Sequence, residues 1–173
     1  MPFAVGNTGL QRERKSAEEA ELEGRKFFDL FKTTGKFNEI IYSKYNYSIF
    51  DATCLIETNF GVQSWYAEYK LRDNEYRYQS QMIPIRKFKD LKRLNNTMYV
   101  CIYDLNDRVD FLVTHINNVD INKCQIKEWE GLNNQTENGV NIERKDVLIP
   151  YEFFAVYTYN KTTGKFLDKN KYK

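Results

Sequence analysis

Histidine is almost missing from this chain: His115 is the single copy in 173 residues. That excludes metal centres built from several imidazoles. A histidine-based triad stays open on this count, but no Ser or Cys stands in a recognisable nucleophile turn. His115 follows the apolar run Phe111-Leu112-Val113, which predicts a strand residue rather than a catalyst. Cysteine is scarce as well. Cys54, Cys101 and Cys124 are odd in number, far apart and without zinc spacing, as expected of reduced thiols in cytoplasm. No apolar run approaches the roughly 20 residues that span a bilayer, and the N-terminus lacks the apolar core of a signal peptide, so no membrane partner is expected. Net charge is only +2, so any nucleic-acid surface must be a local patch. Aromatic side chains, by contrast, are plentiful. Thirteen Tyr, twelve Phe and two Trp, within 42% hydrophobic residues, supply enough apolar surface for one core.

The expected organisation is a polar N-terminal arm over residues 1–15, one domain over 16–160 and a frayed basic tail over 161–173. The arm carries the charge run Arg12-Glu13-Arg14-Lys15. Ser16 and Glu19 make a capping box, and Gly35 marks the end of the helix they start. Ala17, Ala20, Gly24, Phe27, Phe28 and Phe31 recur at helical spacing and predict a buried stripe. Glu21 lies at the edge of that stripe, while Glu18, Glu19 and Glu23 point further from it. A strand over 37–48 follows, then the central hairpin. Pro84 suits the first turn of a second helix running to about Leu94, with Ile85, Phe88, Leu91 and Leu94 inward. The same helix carries Arg86, Lys87, Lys89, Lys92 and Arg93, the most concentrated basic segment of the chain. Strands over 98–103 and 109–116 come next, joined by Leu105-Asn106-Asp107. Residues 117–141 read as irregular, anchored by Trp129.

The stretch from Tyr47 to Asp73 organises the rest. It holds two strand-like runs with Asn59-Phe60-Gly61-Val62 between them. A turn centred on Phe60-Gly61 pairs Asn59 with Val62 and puts Asp51 opposite Lys70, with Glu68 as the diagonal neighbour. Side chains two apart on a strand share a face, so Glu68 and Lys70 point the same way, about 7 Å apart. The opposite face carries Ala52, Cys54 and Ile56 against Trp65, Ala67, Tyr69 and Leu71. One face is packable, and the other gathers two carboxylates and an ammonium. Two carboxylates that close repel unless a cation lies between them, and hard divalent cations such as Mg²⁺ are held in this way. Glu-x-Lys alone carries little weight, since Glu13-x-Lys15 and Glu143-x-Lys145 repeat it. A surface ladder of ion pairs is the plain alternative.

Helix, three strands, helix, two strands, with a carboxylate hairpin at the centre, resembles the PD-(D/E)XK nuclease superfamily in its phage and bacterial members. The resemblance covers residues 16 to about 116. It rests on Asp51 as the first aspartate, on Glu68 and Lys70 as the (D/E)-x-K, and on Ala20-Glu21 as the first-helix glutamate pattern. The sequence departs in having Ile49-Phe50 ahead of Asp51 where the motif has proline.

The resemblance implies an α/β fold with a restriction-endonuclease-like αβββαβ core and a mixed central sheet flanked by helices. It implies a Mg²⁺-dependent DNA nuclease, with Mn²⁺ as substitute, in the cytoplasm of a bacterium or a phage-infected cell. Asp51 and Glu68, with the Tyr69 carbonyl, would hold the ion; Lys70 would orient the attacking water; Glu21 would bind a second ion or a water. Gln79, Gln81 and Lys87 stand where many members place a further polar residue, and with Lys89, Lys92 and Arg93 they would contact DNA. A homodimer is one route to specificity. Two other classes stay open: a nuclease-fold protein that binds nucleic acid or builds a virion without cleaving, and an interaction domain whose Asp51, Glu68 and Lys70 are only a charge ladder. Metal titration separates them.

Overall fold

The computed structural model describes residues 17–44, 48–72, 80–129, 136–137, 140–141 and 144–167. Ser16 of the capping box, the arm and Gln79 lie outside them. Helix α1 spans Ala17–Phe28, tightens into a 3₁₀ turn over Asp29–Thr34 and stops at Gly35, whose φ of 71° is left-handed. Gly24, Phe28 and Phe31 are buried as the periodicity requires. Ala20 is not: it is exposed, because the helix meets the sheet only from its fourth residue past Ala20 onward.

Strands β1 (Phe37–Tyr42), β2 (Ala52–Thr58) and β3 (Gly61–Arg72) form an antiparallel meander. After β3 come β4 (Ser80–Pro84) and helix α2 (Ile85–Arg93), then β5 (Thr97–Asp104) and β6 (Arg108–His115). Pro84 closes β4 and caps α2 rather than lying in its first turn. The parallel pair β3–β5 is bridged by α2, as a parallel neighbour demands a crossover. The later strands are β7 (Gln125–Trp129), the short pair β8 (Thr136–Glu137) and β9 (Val140–Asn141), β10 (Arg144–Pro150), β11 (Ala155–Asn160) and β12 (Lys165–Phe166). The main sheet is mixed and seven-stranded, ordered β1-β2-β3-β5-β6-β11-β12. A second, antiparallel sheet is ordered β4-β10-β7. The fold is therefore α/β, with strands outweighing the two α-helices among the described residues.

Alternation divides the interior into two cores. Ala52, Cys54, Ala67, Tyr69, Val100 and Ile102 point to one face, which α1 and its 3₁₀ extension cover through Phe28 and Phe31. Tyr99, Cys101 and Tyr103 point to the other, covered by Phe88 and Leu91 of α2 and by Val147 and Ile149 of β10. β5 is buried on both faces, the signature of a central parallel strand. His115 ends β6 in ring contact with Trp65, as a strand residue. The expected fraying from Lys161 is overturned as far as Leu167. Phe166 packs on Phe31 and Phe111, and Lys161 reaches Asp104 at 2.6 Å, so residues 161–167 belong to the domain.

The hairpin register differs from expectation by one step of the turn. Thr58 pairs with Gly61, with Asn59 and Phe60 at the corners. The Thr58 hydroxyl accepts from the Phe60 amide (3.1 Å) and donates to the Gly61 carbonyl (2.8 Å), which holds the turn there. Gly61, at φ 96°, takes the left-handed backbone that the turn requires. Moving the turn preserves which residues share a face but changes who stands opposite whom. The ladder ends with Ala52 paired to Ala67, and the Asp51 amide also donates to the Ala67 carbonyl, which brings Asp51 beside Glu68 rather than opposite Lys70.

Candidate active site

Asp51 stands just ahead of β2, where two backbone bonds hold it. Its amide donates to the Ala67 carbonyl (2.9 Å), and its carbonyl accepts from the Ser43 amide (2.8 Å). Phe50 packs against Tyr66, ring centres 4.6 Å apart, and pins the approach. The Asp51 carboxylate accepts the Tyr69 amide (3.0 Å), so the backbone between Glu68 and Lys70 lies against it. Glu68 and Asp51 lie close enough for each carboxyl to act on the proton affinity of the other. Lys87, in the first turn of α2, brings its ammonium 3.0 Å from Glu68 Oε2 and donates to the Ser48 carbonyl (3.1 Å). Lys70 is exposed on the same face, and its charge acts on Asp51.

Burial, then the facing Asp51, pushes the Glu68 carboxyl up to about 8, and Lys87 offsets only part of this. Burial also raises Asp51, while the Tyr69 amide and Lys87 pull it back. The two carboxyls therefore titrate as a coupled pair, each disfavouring the second charge. Glu68 Oε2 is buried with no aligned hydrogen-bond donor, although the Lys87 ammonium is near. The pair is thus rich in oxygen and short of positive charge.

Asp51, Glu68, Tyr69, Lys70 and Lys87 come together. Glu21 does not join them: it is exposed and paired with Arg25 on the helix that covers the opposite face. Among the described residues no group of three or more His, Cys, Asp or Glu side chains converges, so Glu21 adds no third carboxylate. Gln81 is a second correction. It lies inside, 3% exposed, donating to the Tyr103 and Tyr151 hydroxyls, because it belongs to the sheet that packs on the second core. Lys89, Lys92 and Arg93 are exposed on α2, Lys92 with its ammonium on the Val119 carbonyl and Arg93 beside Asp90. Lys87 had been grouped with these outward cations, but it turns into the site.

Sequence reasoning missed that Lys87 pairs with Glu68, and missed the Ser48 carbonyl beside it. The available signal was the crossover. A helix bridging parallel strands starts at the carboxyl end of the first, here next to Glu68 and Lys70. It also missed Arg72, whose guanidinium bridges the Met82 carbonyl and the Tyr99 hydroxyl without a carboxylate partner among the described residues. No family model, curated protein or solved structure matches this chain.

Proposed function

We propose that the chain is a metal-dependent phosphodiester hydrolase acting on DNA, built on a restriction-endonuclease-like core. The order α1-β1-β2-β3-α2-β5 supports that core, with β4 as an insertion ahead of α2 that pairs in the second sheet. The observation that carries the reading is the pair itself. Two carboxyls, Asp51 and Glu68, are set face to face by a twelve-residue strand and its hairpin partner, at the cost of their mutual repulsion. A structural ladder would match each acid with a base instead.

The donors fit a hard divalent cation. They are carboxylate oxygens, one of them buried without an aligned donor, and a cation between them would relieve their repulsion. Asp51, Glu68 and the Tyr69 carbonyl would hold Mg²⁺, which supplies Lewis acidity and offsets charge on the phosphate. Asp51 is oriented by the Tyr69 amide before any ligand arrives. Lys70, on the same face and open to solvent, holds and polarises the attacking water. Lys89 and Arg93 face outward on α2 and meet the DNA backbone.

A second reading has its own support. The Lys87–Glu68 ion pair already supplies a cation to one carboxylate, as a protein that binds DNA without cutting it would tolerate. Incubation with supercoiled, linear, single-stranded and branched DNA, with and without Mg²⁺ or Mn²⁺, separates the two. Metal-dependent cleavage that disappears in Asp51→Ala supports the hydrolase. Binding without cleavage of every form moves the assignment to the binding protein.

A further inference from the structure

Lys87 and Asp51 come from opposite ends of the central unit, yet both meet Glu68. The Lys87 side chain is three-quarters covered, and its ammonium lies 3.0 Å from Glu68 Oε2 and 3.1 Å from the Ser48 carbonyl, with Asp51 within its field. The other basic residues of α2, Arg86, Lys89, Lys92 and Arg93, are exposed. An ammonium ringed by oxygens from the segment before β2 and from β3 occupies the kind of surroundings that a small divalent cation requires. Both cations need the same atom, Glu68 Oε2.

From this geometry we infer that Lys87 is a resident cation of the carboxylate pair, exchanged for the divalent ion when that ion binds. The inference rests on the metal-dependent reading of Asp51 and Glu68, and it assigns Lys87 a positioning role. While the ammonium is in place, it balances Glu68 and keeps the two carboxyls together. Entry of a divalent ion brings two positive charges to the oxygens that Lys87 holds, and like charges that close repel strongly in a half-buried site. The ammonium then leaves Glu68 and swings outward from the first turn of α2. There, beside the exposed Arg86, it faces the side from which a substrate phosphate approaches. A phosphate oxygen is the natural new partner for a displaced ammonium.

Two readouts test this without relying on cleavage. In calorimetric titration with Mn²⁺, Lys87→Met should bind about tenfold or more tightly than wild type, because a competing charge at contact distance is gone. Lys89→Met, which removes an equal charge outside the site, should stay within about twofold of wild type. Reductive methylation mapped by mass spectrometry gives the second readout, on the wild-type chain. Lys87 should be modified several-fold faster in saturating Mg²⁺ than without it, and Lys89 at an unchanged rate. Equal Mn²⁺ affinity in wild type and Lys87→Met, or metal-independent methylation of Lys87, would overturn the exchange and leave the metal site standing. Weaker binding by Lys87→Met would overturn it too, by showing that Lys87 supports the ion. If neither protein binds Mn²⁺, the metal-dependent reading falls together with the inference. Should Lys87→Met fail to fold, the methylation comparison still decides.

Discussion

Among the described residues three strands carry an acid and a base two residues apart, and they do not behave alike. On β10, Arg144 Nε donates to Asp146 at 2.9 Å, and Trp129 Nε1 donates to the same oxygen at 2.7 Å. On β6, Arg108 Nε donates to Asp110 at 3.2 Å, and the Thr158 hydroxyl donates at 2.8 Å. Asp146 and Asp110 are almost wholly buried, and each takes a base from its own strand and a donor from the next, although Asp146 Oδ1 has no hydrogen-bond partner. On β3 the same spacing joins Glu68 to Lys70, but Lys70 is exposed and forms no ion pair among the described residues. Glu68 meets Asp51 instead, and Lys87 from another element. Burial of an acid therefore marks nothing by itself here. What separates the candidate site from the two structural acids is a second carboxyl beside the first, with its ion-pair base supplied by another element rather than by the base two residues away.

That contrast can be broken experimentally, and the largest effect should come from the site's own acid. Asp51→Ala should lose cleavage by about a thousandfold or more, with metal binding lost alongside, yet still fold. Activity retained in that variant would end the assignment.

The pH profile sharpens the contrast next. Glu68 titrates near 4.5 when unfolded and near 8 in the folded chain. Between those values the folded state holds a proton that the unfolded state has lost, so stability falls as pH rises through the window. The penalty is absent below 4.5 and complete above 8, on the order of 2–4 kcal/mol after allowance for partial exposure. Glu68→Gln should flatten the slope, so that melts at pH 5, 7 and 9 converge on one stability. A wild-type curve flat over the same range would refute the buried like-charge pair.

Asp146→Ala should act in the opposite sense. It strands the Trp129 donor and the half-covered Arg144 guanidinium, and should cost about 2–3 kcal/mol. Denaturant unfolding measures it, and residual folded protein should cleave as wild type does. Lys70→Ala should lower cleavage by about a hundredfold while leaving Mn²⁺ affinity within about twofold, because the ammonium is no ligand. The smallest change expected is in DNA binding. Neutralising Lys89 and Arg93 together should weaken it on every DNA form and reduce the salt slope by about 2. An unchanged slope would remove α2 from the DNA surface.

Legibility followed the range of the interactions. Strand alternation made Ala52, Cys54, Trp65, Ala67 and Tyr69 one face and Asp51, Glu68 and Lys70 the other, and both assignments stand, because a pleat allows no other arrangement. The inward residues Phe88 and Leu91 of α2, and Gly35 as a helix stop, were legible for the same local reason. Ala20 failed because helical spacing defines a stripe but not how much of it a sheet reaches. The turn failed by one residue because a single threonine hydroxyl outweighed the preference for glycine at a turn centre.

Gln81 and Glu21 show what lies beyond local reading. A strand fragment with alternating polar residues does not reveal that a second sheet will close over it, so Gln81 read as surface and proved to be core. Glu21 lay beside a packing stripe, but which sheet face receives that stripe is decided by the handedness and order of the whole chain, and α1 went to the face away from the carboxylates. Composition and periodicity alone determined the α/β character, the two-faced hairpin and the excess of carboxylate over base within it. The tertiary structure alone decided that Asp51 lies beside Glu68 and that Lys87 is the cation Glu68 meets, because both depend on a turn register and a crossover helix joining residues up to 36 positions apart (51 to 87).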